Sequence, residues 1–419
     1  MRILHLIPYS PIPPTFGGAL RNYHLLKHMA ARHDVSVLLY GTPGEADSIA
    51  EGFHLPGDRV RVVRKSWIRT RWRLGQLYAM LTPHSFFHLM IGRSGRMQEA
   101  IDEVLAAGEF DIVQTEFTPM GCYKLRTGAA KILDAHNVEY HNHLRMSVHA
   151  NSLVRRLWYR RETHCLKAEE ARACRQHDAV FATSAHDLEL LEKLSPGVPK
   201  FVIPNGVDAS YFKAGDQTPA SPSLVFTGMM AYVPNSDGML YFLDKIFPLI
   251  KRKIPGVTIT IVGNRPPREL LRRASDEVIV TGYVDDVRPF VERASVYVAP
   301  LRIGSGTRLK ILEALCMKKP VVTTSIGCEG LDVVDGESAL VADEPEAFAC
   351  RVVELLHNDR LRRKLMRSGY ELVREKYDWQ VVHQRLDQAY CEVLRRARVP
   401  AGADADRERL EYRQPVYAT

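Results

Sequence analysis

The densest group of residues that could bind an anion lies in residues 298–331, VAPLRIGSGTRLKILEALCMKKPVVTTSIGCEGL. The pattern predicts a strand that ends at Pro300, a loop that contains Gly304 and Gly306, and a helix that begins near Arg308. Backbone N–H groups at such a helix start suit a phosphate, because the helix dipole and the unsatisfied donors both favour negative charge. Three basic residues add positive charge at the same place: Arg302, Arg308 and Lys310.

Glu313 lies on the same predicted helix, five residues after Arg308. Its carboxylate could accept hydrogen bonds from two ribose hydroxyls, which would complete a nucleotide site. The alternative is a solvated basic helix start in which Glu313 pairs with Lys310, and such surface pairs contribute little. Charge spacing alone does not decide between the two interpretations.

Polar residues also follow a predicted strand in the first half of the chain. His136 and Asn137 come directly after the strand Lys131–Ala135, where they could simply close the strand or face a ligand. A histidine group near them invites a metal interpretation, but it lacks an H-x-x-x-H spacing with a carboxylate as third ligand. We therefore expect no metal at these histidines: His141, His143, His149 and His164.

The composition is that of a globular chain of two to three domains. The 419 residues are 46% hydrophobic and 25% charged, which excludes disordered, collagen-like and disulfide-stapled classes. The net charge of +8 indicates an anionic partner without identifying it. Seven dispersed cysteines with no C-x-x-C pair, a start without signal-peptide character and no apolar run of about 18 residues predict a cytoplasmic protein.

Short apolar runs alternate with helical patterns along the whole chain, and the alternation restarts once. Continuous apolar strands separated by helices predict parallel sheets covered on both faces, so the fold class is α/β, with two Rossmann-like doubly wound domains that face a central cleft. The predicted boundaries are an N-terminal Rossmann-like domain 1–204, a linker 205–222, a second Rossmann-like domain 223–378, a helix 379–399 and a tail 400–419.

Several motifs together resemble those of glycosyltransferase family 4, the retaining nucleotide-sugar transferases of GT-B fold. The helix RLKILEALCMKKPVV is similar to the family's R-x-K-[IV]-L-E-A-x-A-x-x-x-P-V-V segment. The resemblance covers nearly the whole chain and is closest to a bacterial exopolysaccharide-associated branch. It rests also on PPTFGGALR (13–21), KILDAHNVE (131–139), VIPNGVD (202–208), FTGMMAYVPNSDG (226–238), TGYVDD (281–286) and EGL (329–331).

The resemblance implies transfer of a sugar from a nucleotide-diphosphate sugar to a hydroxyl of a glycan or lipid-linked acceptor, in bacterial polysaccharide or glycolipid biosynthesis. It implies retention of configuration and no metal or cofactor. It places His136 near C1 of the donor sugar, Glu313 on the ribose and the backbone near Val284 on the base. It also implies that the N-terminal domain 1–204 binds the acceptor, that the domain 223–378 binds the nucleotide-sugar donor, and that the helix 379–399 crosses back to the first domain.

The predicted site combines these implied roles with the charges and glycines. Gly17 and Gly18 lack side chains, so the backbone there could approach a diphosphate closely. The predicted catalytic residues are His136, Arg308 and Lys310. The predicted donor-binding residues are Gly17, Gly18, Gly228, Asn235, Val284, Arg302, Ser305, Gly306, Thr307, Leu309 and Glu313.

Three positions depart from the family pattern. Ser305 stands eight residues before Glu313, where the family commonly has a second glutamate that touches the donor sugar. The family's Arg and Lys after the first strand of the second domain are replaced by Met229 and approximately Asn235. We expect Arg308 and Lys310 to take over the diphosphate, because two basic residues are lost and two are gained.

Two other functions remain open at this point. A GT-B nucleotide-sugar epimerase would use the same cleft without an acceptor, and a catalytically silent nucleotide-binding homologue is conceivable because of Ser305. A nicotinamide dehydrogenase fits poorly, since Gly304 and Gly306 are not followed by the third glycine of G-x-G-x-x-G.

Two basic stretches with interleaved aromatic residues predict a surface on the first domain that docks on anionic lipid. Arg59–Arg73 reads RVRVVRKSWIRTRWR, with no acidic residue, and Arg155–Arg161 reads RRLWYRR. A merely solvated basic face is the alternative. No nucleic acid partner is expected, because the chain has no recognisable DNA- or RNA-binding motif.

Overall fold

A computed structural model describes residues 1–64, 72–91, 93–148, 150, 152–215, 222–304 and 306–398. Side chains of 72–74 and 398 are not described. Several of the predicted features therefore lie wholly or partly outside the described residues. These are Ser305, His149, most of Arg59–Arg73, residues 216–221 of the linker and the tail 400–419.

The first half of the chain folds into a parallel sheet in the order β3-β2-β1-β4-β5-β6-β7. Its central strands are almost wholly buried, since helices cover both faces. The strands are β1 Arg2–Ile7, β2 Asp34–Tyr40, β3 Val60–Val63, β4 Ile112–Glu116, β5 Ala130–Ala135, β6 Ala179–Ala182 and β7 Lys200–Val202. The helices are α1 Gly17–Arg32, α2 Pro43–Gly52, α3 Trp72–Leu81, α4 Phe86–Ile91, α5 Gly95–Ala107, α6 Glu139–Val148, α7 Leu153–Arg175 and α8 Ala185–Leu194, with 3₁₀ turns at Gly57–Arg59 and Thr118–Cys122.

The second half repeats this architecture with strands in the order β10-β9-β8-β11-β12-β13, again parallel. The strands are β8 Ser223–Thr227, β9 Thr258–Val262, β10 Val278–Gly282, β11 Val296–Ala299, β12 Val321–Thr323 and β13 Leu340–Val341. The helices are α9 Val233–Tyr241, α10 Phe247–Lys253, α11 Arg268–Leu271, α12 Arg288–Arg293, α13 Leu309–Cys316, α14 Pro345–His357, α15 Asp359–Lys376 and α16 Trp379–Arg398, with a π-helical turn Phe242–Ile246 between α9 and α10.

The strand order reverses direction at one point in each sheet, between β1 and β4 and between β8 and β11. Loops at the carboxyl ends of the strands diverge there and leave a crevice, which is where open parallel sheets bind ligands. The predicted fold class, two doubly wound domains, is therefore confirmed. Each reversal point carries residues that the sequence singles out.

Helix α16 packs into the core of the first domain. Trp379, Val382, Leu386 and Tyr390 are buried in the same apolar cluster as residues of β1, β2 and α1. The Tyr390 hydroxyl also donates a hydrogen bond to the side-chain oxygen of Gln114 on β4. The chain thus returns to the first domain after it has formed the second.

The beginning of the basic stretch Arg59–Arg73 does not form the exposed basic surface that the sequence predicts. Val60–Val63 forms β3 at the edge of the first sheet, because Val60 and Val63 pack inward. Arg59 binds Asp34 at 3.1 Å and Arg61 binds Glu103. These two arginines are paired within the protein. Of the described part of the chain, no helix is long and apolar enough to cross a bilayer.

Candidate functional site

The carboxyl end of β8 forms a tight polar pocket with the start of α13. The Lys310 ammonium donates a hydrogen bond to Asn235 Oδ1 at 2.6 Å and lies over the Phe226 ring at 4.4 Å. A Cβ at Gly228 would lie 2.5 Å from Lys310 Nζ, so only glycine leaves room for the ammonium there. Asn235 stands approximately where the family pattern has a lysine, and the structure places the Lys310 ammonium beside it.

Arg308 occupies the N-cap position of α13. Its guanidinium donates to the Gly306 carbonyl, and a Cβ at Gly304 would lie 2.9 Å from Arg308 Nη2. Burial lowers the pKa of this guanidinium from its ordinary value. The Arg308 side chain thus folds back on the loop that contains Gly304 and Gly306 and stabilises the conformation of this loop.

Lys310 and Glu313 have strongly shifted ionisation. Burial lowers the pKa of Lys310 to about 7, the neighbouring Arg308 acts in the same direction, and Glu313 opposes it. Burial raises the pKa of Glu313 to about 7, against the attraction of Lys310. A pocket that desolvates both an ammonium and a carboxylate on one helix face resembles a binding site more than a solvated surface pair.

Arg302 does not join this pocket. Its guanidinium binds both oxygens of Asp237 at 2.7 and 3.1 Å and lies 4.3 Å above the Tyr241 ring. Its charge is therefore already neutralised on helix α9. Of the three basic residues grouped by the sequence, the structure brings Arg308 and Lys310 together and places Arg302 elsewhere.

In the first domain, His136 rests on a buried carboxylate. Its Nε2 lies 2.7 Å from Glu116 Oε2, and His5 Nε2 lies 2.7 Å from the other oxygen. Glu116 is fully buried at the end of β4, and it accepts a further hydrogen bond from Gln114. Burial would raise the pKa of Glu116, but His5 and His136 hold it well below its usual range.

A second buried carboxylate lies beside the first. Asp134, on β5, receives two hydrogen bonds from Arg21 at 2.8 and 2.9 Å, and Arg21 also reaches Asn205 Oδ1 at 3.0 Å. Burial raises the pKa of Asp134 to about 6, although Arg21 opposes the shift. Glu116, Asp134 and His136 place one potential metal ligand atom each within 4.8 Å of one another. Arg21 already occupies both oxygens of Asp134, so a cation there would have to displace it.

The two domains touch across the cleft at the predicted residues. A Cβ at Gly306 would collide with Asn137 Oδ1, and Gly306 has φ of 75°, so glycine is required on both counts. Gly17, at the start of α1, faces Leu309: a Cβ there would lie 3.7 Å from Leu309 Cδ1. The start of α1 in the first domain and the start of α13 in the second domain are therefore neighbours.

An ion pair also spans the cleft. Arg145 on α6 binds the two carboxylate oxygens of Glu329 at 2.9 and 2.7 Å, and it donates to the Gly304 carbonyl at 3.2 Å. Glu329 belongs to the EGL motif after β12. The first domain thus binds Glu329 of the second by a bidentate contact and the loop at Gly304 by a single hydrogen bond.

The remaining predicted residues have different surroundings. Gly18 leaves space for the Tyr9 hydroxyl, whose pKa is raised by burial and by nearby carboxylates including Glu116. The Thr307 hydroxyl oxygen is buried and has no hydrogen-bond partner among the described residues. Val284 packs partly against the core of the second domain, beside α12.

The sequence reasoning missed Glu116, Arg145, Arg21 and Tyr9. Glu116 carried a detectable signal, because Gln114, Thr115 and Glu116 are polar residues at the end of a strand predicted to be buried on both faces. Arg145 carried none, since its partner Glu329 is distant in the sequence.

Curated relatives match parts of the chain. An uncharacterized 44.6 kDa protein in the cps region of Klebsiella pneumoniae is 22% identical over 59% of this chain and 65% of its own. A phosphatidyl-myo-inositol mannosyltransferase of Mycobacterium leprae is 30% identical over 45% of this chain and 52% of its own. The chain therefore spans about half to two thirds of the length of these relatives.

Solved structures match almost all of the described architecture. Anabaena HepE, in a crystal structure with UDP, superposes with a TM-score of 0.67 over 94% of this chain and all of its own, at 14% identity. A sucrose-phosphate synthase of Thermosynechococcus elongatus superposes with a TM-score of 0.68 over the same shares, at 15% identity. At such identities the likeness concerns the fold, and it is the GT-B fold.

Two family models match adjoining parts of the chain. The one described as Glycosyltransferase Family 4 matches residues 17–211, and the one described as Glycosyl transferases group 1 matches residues 221–358. The first range contains the glycine loop and His136, and the second contains Lys310 and Glu313. With both halves matched and both sheets arranged as above, this chain belongs to the family 4 glycosyltransferases of GT-B fold.

Proposed function

We propose that this protein is a retaining, metal-independent glycosyltransferase that moves a sugar from a nucleotide-diphosphate sugar to a hydroxyl of a glycan or lipid-linked acceptor in bacterial polysaccharide or glycolipid biosynthesis. The observation that carries the proposal is the pocket at the end of β8. There the Lys310 ammonium lies beside Asn235 and above Gly228, at the point where a parallel sheet binds phosphates.

The charges of a nucleotide-diphosphate sugar match those of this pocket. Lys310 and the backbone N–H groups at the start of α13 would stabilise the diphosphate as it leaves, since preorganised positive charge acts most strongly in a desolvated site. Glu313 would accept the ribose hydroxyls. UDP and UDP-glucose are bound in crystals of the fold neighbour HepE, which supports a nucleotide-sugar donor here.

Metal independence is supported by the chemistry of the cleft. Diphosphate-binding metal sites use free carboxylates, whereas Glu116 and Asp134 already accept hydrogen bonds from His5, His136 and Arg21. The names of other relatives support the acceptor class: an LpcC mannosyltransferase of lipopolysaccharide core biosynthesis and a CapM glycosyltransferase of capsular polysaccharide biosynthesis.

The decisive experiment is a binding screen of UDP-, GDP-, ADP- and CMP-sugars by calorimetry, with and without EDTA. One nucleotide should bind with a dissociation constant that EDTA leaves unchanged. Turnover of that donor with a bacterial lipid extract should then give a glycoside whose anomeric proton has the configuration of the donor, as measured by NMR.

Each other outcome contradicts part of the proposal. If no nucleotide binds, the donor site is wrong. Interconversion of the donor without an acceptor would indicate an epimerase, and binding without turnover would indicate a silent homologue. Loss of binding in EDTA would contradict metal independence, and the opposite anomer in the product would contradict retention.

We further propose that the start of α7 attaches the acceptor domain peripherally to the anionic cytoplasmic face of a membrane. Leu153, Val154 and Leu157 are 68%, 79% and 57% exposed. Arg155, Arg156 and Arg160 alternate with them and are exposed, with no acidic partner among the described residues. Apolar side chains framed by unpaired arginines are typical of a helix that lies in a lipid interface.

A second apolar strip adjoins α7. Arg161 donates hydrogen bonds to the carbonyls of Ala79, Thr82 and His84, and these hold the end of α3 against α7. Four exposed side chains of α3 lie there: Leu77, Tyr78, Met80 and Leu81. Together the two helices expose these seven apolar side chains, and exposed apolar patches mark interaction sites.

Co-sedimentation with vesicles tests this attachment. The protein should bind phosphatidylglycerol vesicles in a salt-sensitive way and phosphatidylcholine vesicles weakly. The variant R155E/R156E/R160E should lose binding about tenfold or more, since each basic residue near an anionic surface contributes about 1 kcal/mol. The control R172E/R175E changes exposed arginines at the other end of α7 and should bind normally. Equal binding to both lipids would contradict the proposal.

A further inference from the structure

A hydrogen-bonded chain of buried side chains ends at His136. It begins at Tyr390 on α16, whose hydroxyl donates to Gln114, and Gln114 donates to Glu116 Oε1. The other oxygen of Glu116 lies 2.7 Å from His136 Nε2. None of these residues upstream of His136 faces the cleft, since Gln114, Glu116 and Tyr390 have no exposed surface.

The chemistry of Glu116 fixes the direction of its hydrogen bonds. An ionised carboxylate only accepts. His5 and His136, which hold Glu116 in its ionised form, must therefore each present a proton on Nε2. The Gln114 amide supplies a third donor. Three donors converge on one buried carboxylate. Their hydrogen bonds stabilise the ionised form of Glu116, which would otherwise be unfavourable in the protein interior.

His136 has one ring nitrogen left for a ligand. Its side chain is 6% exposed while Glu116 is fully enclosed, so the exposed part of the ring lies away from Nε2. The Phe117 ring, 5.4 Å away, packs against the imidazole. Adjacent Asn137 contacts Gly306 across the cleft, which places the end of β5 at the boundary between the two domains.

We propose that Glu116 is a positioning residue, which holds His136 in the tautomer with the proton on Nε2 and thereby presents Nδ1 as an acceptor for a hydroxyl of the donor sugar. This role rests on the proposed function, in which His136 lies next to the donor. A carboxylate behind a histidine sets both its tautomer and its orientation. The chain through Gln114 makes this orientation depend on the position of α16.

The test is a spectrum of the protein itself. Selective ¹⁵N-histidine labelling with long-range ¹⁵N–¹H NMR distinguishes the two neutral tautomers, and H136Q assigns the His136 signals by their disappearance. The free protein at pH 8 should show His136 with a protonated Nε2 and an unprotonated Nδ1. In E116Q the amide can donate as well as accept, so the His136 signals should move to a mixture of tautomers or to Nδ1–H.

A matched variant separates this role from the loss of a buried charge. Glu162 is an equally buried carboxylate of the same domain, which caps the start of α4 through the N–H groups of Phe86 and Phe87. E162Q should leave the His136 signals unchanged. If His136 carries a proton on Nδ1 in the native protein, with or without one on Nε2, or if E116Q leaves its signals unchanged, the proposal is wrong.

Turnover provides a second readout. With UDP-glucose as the probe donor, E116Q should lower kcat at least tenfold and change KM less than about twofold, because a wrong tautomer affects the transition state more than binding. An E116Q enzyme with native kcat would overturn the proposal. Failure of the native protein to bind any nucleotide would contradict the proposed function instead, and the NMR result would still decide the role of Glu116.

Discussion

At the scale of single residues, the proposed donor site depends on Lys310, whose charged form is destabilised by burial. In the proposed donor site Lys310 would contact the diphosphate, and burial lowers its pKa to about 7. An anion that binds next to it would restore its proton, so ligand binding and protonation must be coupled. The residue type and spacing were visible in the sequence, but the desolvation was not, because it depends on Gly228 and Phe226 far away along the chain.

We expect the contribution of Lys310 to UDP-glucose affinity to fall as pH rises above about 7. Above that pH the free protein loses the Lys310 proton, and binding must then take up a proton, which costs free energy. Glu313, whose pKa is also about 7, titrates in the native protein and in K310R, whereas K310R keeps its own charge, so the affinity of the native protein should fall relative to that of K310R. Calorimetry at pH 6, 7, 8 and 9 measures this.

Removal of the charge gives the matching result. K310A should weaken UDP binding about tenfold or more, since a charge-assisted hydrogen bond contributes about 1.5–3 kcal/mol. K318A removes an exposed lysine that lies over Tyr370 in the same domain, and it should bind normally. Native affinity in K310A would show that the diphosphate lies elsewhere.

The contact between Glu313 and the ribose can be tested with a nucleotide that lacks the 2′-hydroxyl. If its carboxylate accepts the ribose hydroxyls, E313Q weakens UDP binding about tenfold and narrows the preference for UDP over 2′-deoxy-UDP. The two affinities are measured by calorimetry for both proteins. An unchanged preference would remove Glu313 from the ribose site.

At the scale of elements, helix α7 orients the helices around the cleft with buried glutamates. Glu170 accepts hydrogen bonds from the N–H groups of Glu139 and Tyr140 at 2.9 Å, which are the first of α6. Helix α6 follows directly after His136 and carries Arg145. A side chain from another helix therefore caps the element that connects the two halves of the site.

Sequence patterns predicted most elements but not this capping. The apolar run Lys131–Ala135 predicted β5, observed at Ala130–Ala135, because a strand buried on both faces has a distinctive composition. Strands β3 and β7 lie at the edges of the first sheet and are short, so apolar runs indicate them less clearly. The role of Glu170 depends on the packing of two helices, which periodicity does not report.

Substitution of Glu170 should change the pH dependence of stability. Burial raises its pKa to about 8, so between pH 4.5 and 8 the folded protein holds a proton that the unfolded chain releases. Stability from this group therefore falls as pH rises through that range. The free energy of unfolding of the native protein minus that of E170Q should decrease from pH 5 to pH 8 in urea titrations. A constant difference would contradict it.

At the scale of the whole molecule, an ion pair and a loop contact join the two domains across the cleft. Arg145 binds Glu329 and Gly304, while Asn137 meets Gly306. The motifs predicted which loops face each other, because both lie at strand carboxyl ends. They could not predict the Arg145–Glu329 pair, which only the docking of two separately folded domains creates.

Breaking this pair should open the cleft. Both side chains are about a quarter exposed, so the pair contributes on the order of 1 kcal/mol and weakens with salt. R145A should increase the radius of gyration measured by small-angle X-ray scattering, and R145A/E329A should add little, because the same interaction is lost. R172A, on exposed surface of α7, is the control. A native radius in R145A would show that other contacts keep the domains closed.

The return of α16 to the first domain has a consequence for synthesis on the ribosome. Residues of β1, β2 and α1 share their apolar cluster with Trp379, Leu386 and Tyr390. The ribosome makes about 5–20 residues per second, so roughly 10–35 s separate completion of β7 from emergence of α16. During this interval the nascent first domain exposes an apolar groove, which makes it a natural client for a chaperone.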